Sequence, residues 1–165
     1  MELIHDRTLR ALDELSQRLF WMNKKIDRMK SVLNVAFVMP IFSNLVHHEL
    51  AHSYPLLADV IGDMQEEFNY DANYLGIEGA TEYYDSVQDM MHTLYNWTIE
   101  TNEKINETIK VAMDEGDYNI YWKLGDFSRE YSKYITNAQL LQDKADAYGD
   151  DLMAMDKDSK KWRKL

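Results

Sequence analysis

The residues best suited to chemistry lie between positions 48 and 67. His48, His52, Asp63 and Glu67 follow one another at intervals of four, eleven and four. At about 100° per residue those four, with Asp59, fall within an arc of about 100° on an α-helix and share one face. Imidazole with carboxylate is a ligand set for iron, zinc or manganese, and an oxygen-reactive iron site needs such ligands with open positions. Yet His48 and Asp63 are about 22 Å apart along a straight helix, at roughly 1.5 Å per residue. One helix therefore cannot wrap the stripe around one ion, but two copies can. Placed antiparallel about a two-fold axis near residues 55–60, His48 and His52 of one chain meet Asp63 and Glu67 of the other, and symmetry gives two equivalent sites per dimer. The plainer alternative is a polar, solvent-facing stripe.

Shorter patterns overlap this one. His48-Glu49-Leu50-Ala51-His52 matches the zincin motif, in which two histidines one turn apart hold zinc and the glutamate activates water. A zincin also needs a third ligand and usually a strand to hold an extended substrate, and no stretch of this sequence reads as a strand. Glu49 and His52 form an E-x-x-H pair of the kind used by di-iron bundles, which need a second pair on another helix. Glu2 with His5 and Asp89 with His92 are the nearest offers. His5 and His47 read as surface or packing residues.

The elements that must position these groups are helices. Six glycines and two prolines in 165 residues disfavour a turn-rich β fold. Leu12, Leu15, Leu19, Met22, Ile26, Met29 and Leu33 step by three and four, predicting a first helix from about Leu3 to the high thirties. Pro40 punctuates the chain. Ile41 opens a second helix to about Tyr70, with Pro55 inside it as a kink or a lost backbone hydrogen bond. The segment 71–79 reads as the one substantial connection. A third helix follows from about Ala80 to Glu115, with Val87, Met90, Met91, Leu94, Trp97, Ile105, Ile109 and Ala112 as its stripe and Gly116 as its C-cap. A fourth follows at once through Ile120, Leu124, Phe127, Tyr131, Tyr134, Ala138, Leu141 and Ala145. Short, long and short connections predict an all-α, antiparallel four-helix bundle over residues 1–150, followed by a basic tail over 151–165.

At these residues the sequence resembles the Dps proteins, the ferritin-like DNA-binding proteins from starved cells. Their second helix carries His, then Asp four later, Asp eleven further and Glu four after that; here His48, His52, Asp63 and Glu67 keep the spacing with His in place of the first Asp. His48-Glu49, Met64-Gln65-Glu66-Glu67, Val87-Gln88-Asp89 and Ala112-Met113-Asp114-Glu115-Gly116-Asp117 are similar as well. The family has a further His near the end of its first helix, where Val32-Leu33-Asn34-Val35 has none. The resemblance implies a ferritin-like fold and a homo-oligomeric shell of twelve subunits. In it, Fe(II) bound at His48, His52, Asp63 and Glu67 is oxidised by hydrogen peroxide and stored as ferric mineral, a protection against oxidative stress. It also implies that Asp114, Glu115 and Asp117 line a three-fold pore.

The formal net charge is −11, which repels nucleic acid and concentrates cations. The tail from Lys157 to Leu165 is basic, and reads either as a solvated, frayed end or as a DNA contact. With no cysteine, disulfides and thiolate metal sites are excluded. The first residues lack a signal peptide's basic and apolar regions, and the apolar run Val32–Val46 is too interrupted to span a membrane. A cytoplasmic protein is expected.

Overall fold

The computed structural model describes residues 3–162. Helix α1 spans Asp6–Val35, α2 Pro40–Leu45, a π-helical turn Val46–Ala51, α3 Ser53–Glu66, α4 Val87–Glu115, α5 Tyr118–Tyr148 and α6 Leu152–Ser159. α2, the π turn and α3 run on as one interrupted second helix. The fold is thus the predicted all-α bundle, and there is no strand among the described residues. α1 packs along α3 and α4, and α4 along α5. The connection 67–86 is the long crossover of the bundle.

The predicted seams are the buried faces. Leu12, Leu15, Leu19, Met22, Ile26, Met29 and Leu33 of α1 are fully buried, as are Met90, Met91, Ile105 and Ala112 of α4 and Ile120, Leu124, Tyr131 and Leu141 of α5. Pro40 occupies the first turn of α2, where its missing N–H costs nothing. Gly116 closes α4 at φ 77°, a left-handed conformation that a side chain resists.

Three boundaries differ from the sequence expectation. α4 begins at Val87, not near Ala80, because Ser86 caps it by accepting from the Asp89 N–H at 3.0 Å. The preceding residues are extended across α1. There Arg28 Nε donates to the Glu82 carbonyl at 3.0 Å, and the Lys25 ammonium, 4% exposed, pairs with the Glu82 and Glu78 carboxylates. Burial pulls the Lys25 ammonium down, but the two carboxylates outweigh it and hold it above its ordinary range.

The second helix ends at Glu66 instead of Tyr70. Past it, the buried Asp13 carboxylate fastens the crossover, accepting from Gln65 Nε2 at 2.8 Å and from the Asn73 backbone and side-chain amides at 3.0 Å.

The third difference lies in the segment expected as a basic tail, 151–165. Residues 152–159 form α6, docked on α2 through buried Met155. Its buried Asp156 accepts from the Phe42 N–H at 2.8 Å and so caps the N-terminus of α2. Arg163, Lys164 and Leu165 lie outside the described residues. No helix among the described residues is long and apolar enough to cross a membrane.

Candidate metal centre on the second helix

The stripe read from the sequence is solvent-facing: His48, His52, Asp59, Asp63 and Glu67 are all exposed. The structure does not bring it together as a single site within one chain. His48 and His52 meet, whereas Asp63 and Glu67 line a separate cleft of about 550 Å³ between α3 and α5, with Leu56, Val60 and Phe127. Glu67 is ion-paired there with Lys123 at 2.6 Å.

What joins the two histidines is a third. Nitrogens of His47, His48 and His52 all lie within 4.8 Å of one another. The ring centroids are 4.2 Å apart for His47–His52, 4.8 Å for His47–His48 and 5.3 Å for His48–His52. On an α-helix, residues five apart diverge by about 140°, so His47 and His52 would not meet on a regular helix. The π turn closes that gap, because the His52 N–H donates to the His47 carbonyl five residues back, at 3.2 Å.

The turn combines a local vacancy with a donor from α1. Pro55 brings no N–H, so the Ala51 carbonyl four residues earlier has no α-helical donor. The Asn23 side-chain amide of α1 donates to it at 2.7 Å, and Ser53 Oγ donates to the Leu50 carbonyl at 2.6 Å. The predicted loss of a backbone hydrogen bond at Pro55 thus falls at the end of the π turn. The signal for His47 was present in the pair His47-His48 followed by a proline, a place where the helical period cannot be assumed.

The other histidines are committed elsewhere. His5 Nδ1 pairs with Asp117 at 2.9 Å, and His92 Nε2 with Asp146 at 2.9 Å. The predicted pore residues are likewise engaged. Asp114 pairs with Lys110 at 2.9 Å and Glu115 with Arg7 at 3.2 Å, while Asp117 is buried, accepting from His5 and Thr8. Burial excludes Asp117 from lining a pore in this conformation; its role is to fasten the N-terminal segment to the α4–α5 turn.

A di-iron site at a bundle centre is built from inward-pointing glutamates and E-x-x-H pairs. The residues do not fit. No glutamate is buried among the described residues, and Glu49 and His52 both point outward. Glu2 lies outside the described residues. The interior position on the second helix is Tyr54, whose hydroxyl meets that of Tyr131 at 2.8 Å. Tyr131 also contacts the Thr98 carbonyl at 3.4 Å and stacks on Tyr134 at 5.2 Å between centroids. Thr101 Oγ donates to the Trp97 carbonyl at 2.8 Å and accepts from Arg18 Nε at 2.9 Å. Burial holds both the Tyr54 and Tyr131 phenols well above their ordinary range, so they are neutral hydrogen-bonding groups.

The family profile described as a ferritin-like domain matches residues 42–147. Among solved structures, an open-pore ferritin from the hyperthermophilic archaeon Archaeoglobus fulgidus superposes with a TM-score of 0.90 at 20% identity, covering 97% of this chain and 98% of its own. An engineered closed form of that ferritin gives 0.89 at 19% identity over 95% and 96% of the two chains. A humanized archaeal ferritin gives 0.87 at 19% identity over 95% and 96%. No curated protein matches. The chain belongs to the ferritin-like domain family. At these identities the structural likeness establishes the fold alone.

Proposed function

We propose that this protein is a homo-oligomeric, ferritin-like metal handler whose site lies on the exposed face of the second helix and takes Fe(II) as cargo. The observation that carries this reading is the meeting of His48 and His52 ring nitrogens on that face. His48 and His52 of one subunit bind the ion, and Asp63 and Glu67 of a two-fold mate complete its shell, with Asp59 beside them. The exposed apolar residues Leu56 and Val60, 66% and 44% accessible, support the pairing. They fall midway between the histidine and carboxylate ends, where the expected two-fold axis lies. Recruiting Glu67 breaks its pair with Lys123, but both side chains are over a third exposed, and such pairs contribute only about 0–1 kcal/mol.

The resemblance to Dps adds a twelve-subunit shell and hydrogen peroxide as oxidant. Two Fe(II) ions give one electron each, the O–O bond breaks, and two protons complete two waters. It also adds DNA binding through the basic tail, where Lys157, Lys160 and Lys161 are exposed. Such binding works against a net charge of −11 and should vanish with modest salt and with truncation after Met155.

The tyrosine-filled bundle centre favours a second reading, a ferritin-like interaction module without ferroxidase chemistry. The zincin reading lacks the strand it requires among the described residues. Native mass spectrometry with metal analysis separates the first two. The metal handler is an oligomer that loads iron, and Asp63→Ala or Glu67→Ala abolishes peroxide-dependent iron oxidation while leaving the second helix folded. A monomer, or iron oxidation undiminished in both variants, refutes it.

A further inference from the structure

His47 is the ligand candidate that the two-fold arrangement leaves unused. The π turn sets its ring against His52 and His48, and its Nδ1 lies 3.1 Å from Asp27 Oδ1 on α1. That contact engages Nδ1 and leaves Nε2 as the nitrogen free to bind a metal. A histidine ligand held through its other nitrogen by a carboxylate is a recurring feature of metal centres, because the carboxylate sets the tautomer and raises the basicity of the free nitrogen. His48 and His52 are exposed and, among the described residues, meet imidazoles rather than acids.

We propose that His47, His48 and His52 of a single chain form a three-imidazole site for a borderline divalent cation of the zinc and cobalt class, with Asp27 as its positioning residue. This rests on the reading that the second helix's histidines are ligands, but it needs no second subunit. Three neutral nitrogens without a carboxylate favour Zn(II), Co(II), Ni(II) or Cu(II) over the harder Fe(II) and Mn(II). In a tetrahedral site with metal–nitrogen bonds of about 2.0–2.1 Å, donor nitrogens stand about 3.4 Å apart. The present limit of 4.8 Å closes to that by a movement of about 1.4 Å at most, which rotation of the exposed His48 and His52 rings supplies. The backbone need not follow, since Asn23 and Ser53 brace the turn. The three imidazoles leave a fourth position open. An ion seated there occupies His48 and His52, so Zn(II) should inhibit iron loading at the shared histidines.

The test is titration of the purified, metal-free full chain with Co(II), read by its visible absorption. One Co(II) binds per chain with tetrahedral bands and is displaced by one equivalent of Zn(II). His47→Ala weakens binding by about 100-fold or more; Asp27→Asn weakens it by about 10- to 100-fold with shifted bands, and Asp27→Glu restores much of both. Thermal unfolding without metal confirms that each variant is folded. Asp63→Ala still binds one Co(II) per chain while losing iron oxidation, so the two-fold reading and this one fail separately. Wild-type affinity in His47→Ala, loss of Co(II) binding in Asp63→Ala, or no Co(II) binding at all overturns the proposal.

Discussion

Replacing Tyr54 with Phe removes one hydroxyl from the layer that closes the bundle centre. Both rings of the Tyr54–Tyr131 pair are shut off from solvent, at 1% and 0% exposure. In Tyr54→Phe the Tyr131 hydroxyl keeps the 3.4 Å contact to the Thr98 carbonyl, near the limit of a hydrogen bond, and its contact with the Thr101 side chain, but loses its 2.8 Å partner. The loss is that of a buried hydroxyl left poorly satisfied, about 1–3 kcal/mol. Tyr131→Phe leaves the Tyr54 hydroxyl with the Thr98 side chain in place of its 2.8 Å partner. The double variant keeps ring volume and removes both polar atoms, so it should be less destabilised than the sum of the singles, by about 1–2 kcal/mol of coupling. For a chain of this size, each kcal/mol moves Tm by about 2–4 °C, so each single variant should melt about 2–12 °C below wild type. Differential scanning calorimetry on the four proteins measures the cycle. Repeating it after chelation should change nothing, because the layer is held by hydrogen bonds and not by metal. Additivity of the two substitutions within about 0.5 kcal/mol, or a chelator-dependent cycle, refutes the assignment of the centre as a closed tyrosine pair.

Two further outcomes probe the elements that frame the site. The Lys25 pair with Glu82 and Glu78 should tie the crossover to α1 most strongly between about pH 4.5 and 10.5, the ordinary values of its groups. Both carboxyls are lowered, so their contribution is present above 4.5 and is lost as pH falls through their folded values. Lys25 is raised, so its contribution is full below 10.5 and is lost as pH rises past its folded value. Glu82→Gln should cost about 1–3 kcal/mol, less than a fully buried pair because Glu82 is a third exposed, and limited proteolysis of residues 67–86 should accelerate. Met155→Ala empties a fully buried position beneath α6 and should cost about 2–5 kcal/mol. Hydrogen exchange should report the loss in α6 and in the α2 amides that Asp156 caps, with α4 and α5 unaffected.

The helices were legible in the sequence because their information is local. Leu12 to Leu33 repeat at the period of the helix that buries them, and Gly116 marks an end that needs a positive φ. The exposed stripe of His48, His52, Asp63 and Glu67 was legible for the same reason, as was its inability to close around one ion within one straight helix. Other features rest on partners distant in the chain. Asp117 sits in an acidic run that reads as solvated, and only packing against His5 and Thr8 buries it. The segment 152–159 is polar enough to read as a tail, and Met155 and Asp156 order it by finding α2. His47 is the sharpest case. The helical period sends it about 140° away from His52, and that reasoning holds until Pro55 leaves a carbonyl unfilled. Asn23, brought from another helix, fills it and leaves the π turn in place. Sequence alone determined which face of the second helix carries the candidate ligands His48, His52, Asp63 and Glu67. The tertiary structure decided that three imidazoles, and not two, stand together on it, because the hydrogen bond that braces the turn comes from a helix 28 residues away in the chain.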